Sequence, residues 1–299
     1  MPAWNIRLLE TIEEMSAVEA LQREVWPGSE TDVVPAHLLI TAVHNGGLVL
    51  GAFIEENPST PSAGQRLIGF VFGFPGLEFT PDGPRPKHCS HIAGVYAEYR
   101  DGGVGFALKR AQWQVVRHQG LDHVTWTYDP LLSRNAKLNI ARLGAVCSTY
   151  RRSEYGEMRD EFNAGLPSDR FQVDWWINTK RVERRLSKRP RPALSLDHLA
   201  RVGVQPFYSL PFGPDNLPRP LEHVPTLGAQ LVAAEIPSDF LSLKSADFAL
   251  ARDWRFFTRE FFEAAFAKGY IVTDFVFDPG EGLPRSFYIL TDGESTLEG

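Results

Sequence analysis

Residues 95–108 read VYAEYRDGGVGFAL. The stretch opens apolar at Val95, passes through Tyr96, Ala97, Glu98 and Tyr99 to Arg100, and then meets Gly102, Gly103 and Gly105. Beyond it Val104, Leu108, Ala111 and Val115 recur at helical spacing, and Gly120 ends the pattern. The order is strand, glycine turn, helix start. Glycines remove the Cβ from a ligand's path. The first amides of the helix point outward without intrahelical acceptors, and the helix dipole adds partial positive charge there. Such a terminus takes phosphate. Arg100 adds a charge-assisted contact. The segment reads as an anion site, with a pyrophosphate as its ligand.

The spacing narrows the ligand. A P-loop needs Lys-Ser/Thr after its glycines, and Phe106-Ala107 follow Gly105. The dinucleotide fingerprint G-x-G-x-x-G needs glycine where Leu108 stands. What remains is Arg100-x-x-Gly103-x-Gly105.

The neighbouring segments alternate helix and strand. Thr11 with Glu14 forms a capping-box start for a helix over 11–25, stopped by Pro27-Gly28. Strands are expected at 47–55 and 66–74, joined by the turn Asn57 to Gln65, with a loop at 80–87 and a third strand at 90–99. After the 103–119 helix come a strand at 122–128, a short helix at 133–143 ended by Gly144, and a strand at 145–150. This order predicts a mixed α/β fold.

With those flanks, Arg100-x-x-Gly103-x-Gly105 resembles the acyl-CoA pyrophosphate motif of the GNAT-type N-acetyltransferase superfamily. The downstream helix, strand and Asn135-Ala136 helix ending in Leu143-Gly144 strengthen the likeness, which covers roughly residues 5–150. Cys147 to Phe171 also resembles a little-characterised subgroup with a long C-terminal extension. The resemblance implies a mostly antiparallel sheet flanked by helices. It implies that Val95, Tyr96 and Ala97 pair with the pantetheine arm, that Arg100, Gly102, Gly103, Val104, Gly105 and Phe106 hold the pyrophosphate, and that Asn135 reaches the arm. The thioester carbonyl would lie near Val95, where a backbone N–H stabilises the oxyanion. The implied co-substrate is acetyl-CoA or another short-chain acyl-CoA. The implied reaction is attack of a primary amine, such as that of an amino acid, on the thioester.

The chain departs from the family at its usual thiol acid, a tyrosine four residues before the glycine of Leu-Gly. That position is Ile140, after Asn139. Tyr150 or Tyr128 would have to substitute, or water. For the base, His91 sits on the strand before the motif, on the face of Val95 by period two. His88-Cys89-x-His91 lacks the second cluster a metal site needs, so no metal is expected.

From residue 180 the composition shifts. Lys180 to Pro192 is basic, and Pro206, Pro211, Pro214, Pro218, Pro220 and Pro225 follow. The expected division is a GNAT-like domain over 1–182, a Pro-rich linker or arm over 183–228, and a smaller α/β part over 229–299. In that last part an amphipathic helix at 247–268 and a strand at 270–277 follow a strand at 230–236. Gly269 to Asp278-Pro279 echoes Gly120 to Asp129-Pro130, which suggests a degenerate repeat of the 104–128 region without a glycine turn.

The 299 residues are 43% hydrophobic and 23% charged, which excludes wholesale disorder. Two cysteines, Cys89 and Cys147, exclude a disulfide scaffold. No apolar run approaches a membrane span, and MPAWNIRLLETIEE lacks a secretory pattern, so a cytoplasmic protein is expected. The net charge of −6 argues against nucleic-acid or membrane partners. The alternatives are a catalytically silent acyl-CoA-binding protein, which Ile140 favours, and a nucleic-acid partner acting through the 180–192 run.

Overall fold

A computed structural model describes residues 3–28, 30–55, 64–158, 160, 163–187, 194–201, 204, 207–208, 212–280 and 282–293. It is a mixed α/β structure whose strands are mostly antiparallel and flanked by helices. The chain forms two compact units, one running to Trp126 and the other starting at Thr127 and holding nearly all that follows. That division differs from the boundary expected at 182/183.

In the first unit, β1 (Trp4–Leu8), β2 (Leu48–Glu55), β3 (Gln65–Thr80) and β4 (Gly83–Val95) pair antiparallel in that order. β5 (His123–Tyr128) joins β4 in parallel. α1 (Ile12–Val25) starts on the Thr11–Glu14 capping box. With α2 (Ala36–His44) it covers one face of the sheet, burying Met15, Val18, Leu21 and Leu39 against Phe70 and Phe72. Full burial of such side chains contributes about 1.5–3 kcal/mol each. α3 (Val104–His118) covers the opposite face. The neighbouring glycines prove the sidedness. A Cβ on Gly94 would strike the Trp26 ring after α1, whereas a Cβ on Gly69, in the next register pair, would strike Val95 and Leu108.

Two corrections concern this sheet. The loop expected at 80–87 is the tip of a long β3–β4 hairpin, with Leu77 opposite Pro86 and Phe79 opposite Pro84. The strand expected to reach Tyr99 stops at Val95, and Ala97–Gly102 winds into a 3-10 turn. The turn expected at 57–65 lies almost wholly outside the described residues.

The second unit contains α4 (Ser133–Ala136), which runs on as a π-helix over Lys137–Arg142, then β6 (Val146–Arg151) and β7 (Arg170–Trp176). The region expected as linker holds α5 (Lys180–Leu186), α6 (Leu196–Arg201) and the two-residue β8 (Phe207–Tyr208). β9 (Leu231–Ile236), α7 (Phe240–Ala246), α8 (Phe248–Ala267), β10 (Tyr270–Asp278) and β11 (Arg285–Asp292) complete it. Strand order is β7-β6-β10-β11-β9-β8. Its core is aromatic, with Phe171 ringed by Tyr128, Tyr150, Phe262 and Tyr288.

The strands that flank the two helices compared in the sequence differ in adjacency: β4 and β5, around α3, pair directly in parallel, whereas β9 and β10, around α8, share a direction but have β11 between them. A different correspondence holds. β6–β7 and β10–β11 are both antiparallel hairpins, and each carries a bulge, at Ser148 and at Thr273. Cys147 and Val272, the residues before the bulges, pair with one another. Gly144 and Gly269, both left-handed, stand three residues before them. All three matched pairs are equally far apart in sequence.

Candidate functional site

β4 and β5 pair only at His88–Val124 and Cys89–Thr125. Past that point β4 continues to Val95 with β3 on its other side, and the two strands part. The β4 stretch from Ser90 to Val95 thus lines a cleft with one backbone edge turned into it, a template for an extended ligand to pair with. At the end of β4 the Tyr96 amide donates to the Ile68 carbonyl at 3.1 Å and the chain turns over Ala97–Gly102. The Arg100 side chain folds back, its Nε donating to the Val95 carbonyl at 3.1 Å.

Gly103 then opens α3 at φ +82°. A Cβ there would meet no heavy atom within 4 Å, so it is the left-handed backbone rather than crowding that calls for glycine. The first helical bond of this turn runs from the Ala107 amide to the Gly103 carbonyl at 3.0 Å. Helix geometry therefore aims the Val104 and Gly105 amides out of the helix start, where the dipole is positive. Gly102 and Phe106 flank them. Val95 is half-buried and Ala97 exposed. Tyr96 is half-buried under the Arg66 guanidinium, 5.1 Å from the ring centre, and Arg66 also bonds Glu98 at 3.3 Å.

His91 does not share a face with Val95. Between the Phe72–Ile92 and Phe74–Cys89 pairs, β4 carries one residue more than β3, and this bulge opposite Gly73 breaks the period of two. The His91 ring lies 5.9 Å from Phe72 and 6.0 Å from Phe74, which pack with α1 and α2, while Val95 faces Leu108 of α3. The residue is exposed overall, but its apolar neighbours desolvate the ring and lower its pKa. His88 faces α3 instead, so His88 and His91 do not converge on a metal. Among the described residues no group of three His, Cys, Asp or Glu is placed to hold one.

Sequence reasoning missed a buried polar cluster on the α3 side. Lys109 Nζ donates to Ser90 Oγ at 2.7 Å and to Gln112 Oε1 at 3.2 Å, and lies 3.7 Å from the centre of the Trp126 ring. Ser90 also donates to Gln112 Oε1 at 3.0 Å, and Gln112 Nε2 donates to His88 Nε2 at 3.1 Å. His88 is fully buried, and its Nδ1 has no partner. Burial, helped by the Lys109 charge, pulls His88 down to about 3. Burial pulls Lys109 down to about 7. The available signal was Lys109 and Gln112, three residues apart on the face that buries Val104, Leu108 and Val116.

Three expected residues belong to the second unit. Asn135 is half-buried in α4. Ile140 is fully buried in the π-helical stretch. Tyr150 donates to Asp169 at 2.9 Å, and Asp169 also receives Arg259 at 2.8 and 2.9 Å. Burial, then the Asp169 charge, pushes the Tyr150 phenol pKa up, so the phenol keeps its proton and donates it in a hydrogen bond to the carboxylate. Tyr128 shares a 3.1 Å bond with Tyr288, and burial raises its pKa too. Much of the basic run is internal to this unit: Arg181 donates to the Gly144 carbonyl at 2.9 Å, and Arg185 pairs with Asp274 at 2.6 Å. Residues 188–192 of the run lie outside the described residues.

No protein-family model and no curated protein matches the sequence. The solved structures that match are N-acetyltransferases of the GNAT family, at low identity. A putative GNAT acetyltransferase from Desulfovibrio desulfuricans is 14% identical, with 58% of this chain and 99% of that one covered and a TM-score of 0.43. Arabidopsis thaliana NAA60, in complex with a bisubstrate analogue, is 17% identical over 59% of this chain and 100% of that one, TM-score 0.44. The Escherichia coli ribosomal-protein-S18-alanine N-acetyltransferase is 15% identical over 58% and 94%, TM-score 0.41.

Proposed function

We propose that the protein is an acyl-CoA-dependent N-acyltransferase that moves an acetyl or other short acyl group to a primary amine. The observation that supports this best is the parting of β4 from β5 beside a helix that opens on left-handed Gly103. The cleft accepts an extended arm as an added strand along Ser90 to Val95. The Val104 and Gly105 amides take the pyrophosphate, with Gly102, Gly103 and Phe106 shaping the turn and Arg100 swinging from the Val95 carbonyl to add charge. His91 serves as base: with its pKa lowered it is neutral at pH 7 and able to accept the ammonium proton. Tyr150 is a poorer acid than the sequence suggested, because burial and the Asp169 carboxylate keep the proton on its phenol.

Replacing Gly103 by Asp puts a carboxylate where the pyrophosphate binds and a side chain on a left-handed backbone. Calorimetry should show CoA binding to the wild type and none to Gly103→Asp. Unchanged affinity in the variant rejects the site. The second reading, a silent acyl-CoA-binding protein, draws support from buried Ile140. Thiol release from acetyl-CoA and succinyl-CoA against an amine panel separates the two.

A further inference from the structure

We propose that Lys109 supplies positive charge inside the β4/β5 cleft that favours the thiolate of CoA, the leaving group of acyl transfer. The inference rests on the acyl-CoA reading above and adds a residue to it. Ser90 is the first residue of β4 beyond its last pairing with β5, and Trp126 is the first of β5 beyond that point. Lys109 Nζ touches both, at 2.7 Å from Ser90 Oγ and 3.7 Å from the indole centre. The amine therefore stands where the two strands part, at the closed end of the cleft.

Its hydrogen-bond partners are neutral. From α3 comes the Gln112 amide, from β4 the Ser90 hydroxyl, and from β5 the Trp126 ring. The titratable groups that act on it are both on β4. His88 is neutral, since burial and Lys109 itself pull it to about 3, and Cys89 is a thiol whose pKa burial raises. No carboxylate is among these partners. An ammonium 5% exposed and held only by neutral groups bears a desolvation cost that an arriving anion relieves.

Acyl transfer produces such an anion. The acceptor nitrogen forms its bond to the acyl carbon and gives its proton to the base and then to water. The C–S bond breaks, its electron pair goes to sulfur, and the thiolate is later protonated by water. Lys109 forms no bond to the acyl group or to sulfur in this sequence; with a pKa of about 7 it is partly protonated at neutral pH, and it holds its proton more firmly as the thiolate forms, supplying positive charge in a site that excludes water. By reciprocity, the thiolate raises the Lys109 pKa as far as Lys109 lowers that of the thiol.

The test titrates the thiol of CoA bound to the wild type by its ultraviolet thiolate absorbance, at saturation set by calorimetry. The bound thiol should ionise about 1–3 pH units below free CoA, a tenfold or greater gain in thiolate at fixed pH. Lys109→Met should lose that shift and Lys109→Arg should keep it. A wild-type complex whose thiol titrates like free CoA overturns the proposal without any variant, so a misfolded Lys109→Met does not protect it. A shift that survives in folded Lys109→Met also overturns it. Absence of CoA binding to the wild type removes the acyl-CoA reading and this inference together. Binding with an unshifted thiol removes only the role of Lys109.

Discussion

Two helices each bury a cation, and they satisfy it in opposite ways. On α8, Arg255 is 2% exposed and makes a two-pronged pair with Asp129, one bond being 2.9 Å from Nη1 to Oδ1. Burial pushes the Asp129 carboxyl up, and Arg255 more than offsets this, leaving the acid below its usual range. On α3, Lys109 is nearly as buried and has a hydroxyl, an amide and a ring in place of a carboxylate. The helix starts differ in the same sense. Asp247 caps α8, its carboxylate accepting from the Leu250 amide at 2.9 Å, while α3 begins on Gly103 with no side-chain cap. Where the charges inside a helix and at its start are both matched, the helix is a structural part. Where both lack a counter-charge among these contacts, the helix is suited to the anion proposed above.

The largest effect that would sharpen this contrast comes from Arg255→Leu. It removes the two-pronged partner of the buried Asp129 carboxylate, which is left with Arg170 at 4.0 Å and the Leu131 amide at 2.9 Å, and removing one partner of a buried pair costs about 3–5 kcal/mol. Urea denaturation should show a loss of unfolding free energy of that size, and a loss below about 1 kcal/mol would break the comparison.

A pH dependence of comparable size comes next. The folded pKa of Lys109 is about 7, below the unfolded value near 10.4. Below pH 7 both states carry the proton and the folded state bears the full desolvation cost. Above about 10.4 neither carries it and the cost is gone, so stability rises with pH between those limits. The rise attributable to Lys109 is on the order of 5 kcal/mol. It should appear as the difference between the stability–pH curves of the wild type and Lys109→Met, and parallel curves would show that Lys109 is not desolvated.

The smallest effect is at the helix start. Asp247→Ala removes the cap of α8 and should cost about 1 kcal/mol in denaturation while leaving CoA affinity unchanged. A change in CoA affinity would mean that the two helix starts are not functionally distinct.

Much of the first unit was legible in the sequence because its signals are local. The Thr11–Glu14 box, the apolar 47–55 run and the α3 stripe each became the element their pattern implies. The β3–β4 arm was not legible, because Pro84 and Pro86 read as breakers. They sit on a part of β4 that pairs with β3 only, where a missing N–H leaves no β5 ladder bond unmade. α2, β7 and β11 were missed, their shape being set by neighbours distant in sequence. At the site, the glycine turn was plain and Arg100 was named, but its resting bond to Val95 could not be read. His91 was put on the wrong face because a bulge leaves no mark in a pattern of twos. Lys109 went unnoticed because a helical lysine ordinarily points to solvent, and only the fold shows that Ser90 and Trp126 close over it.

The paired bulges at Ser148 and Thr273 have a consequence for self-association. A β6 strand with β7 on one side would leave its other backbone edge bare, and bare edges recruit strands from other molecules. Here β10 of the same chain, kinked at the matching step, lies against that edge at Cys147–Val272, and β11, β9 and β8 carry the sheet onward to a terminal strand of only two residues. The C-terminal hairpin thus acts as a built-in chaperone for β6, occupying from within the place where a stranger's strand would otherwise dock.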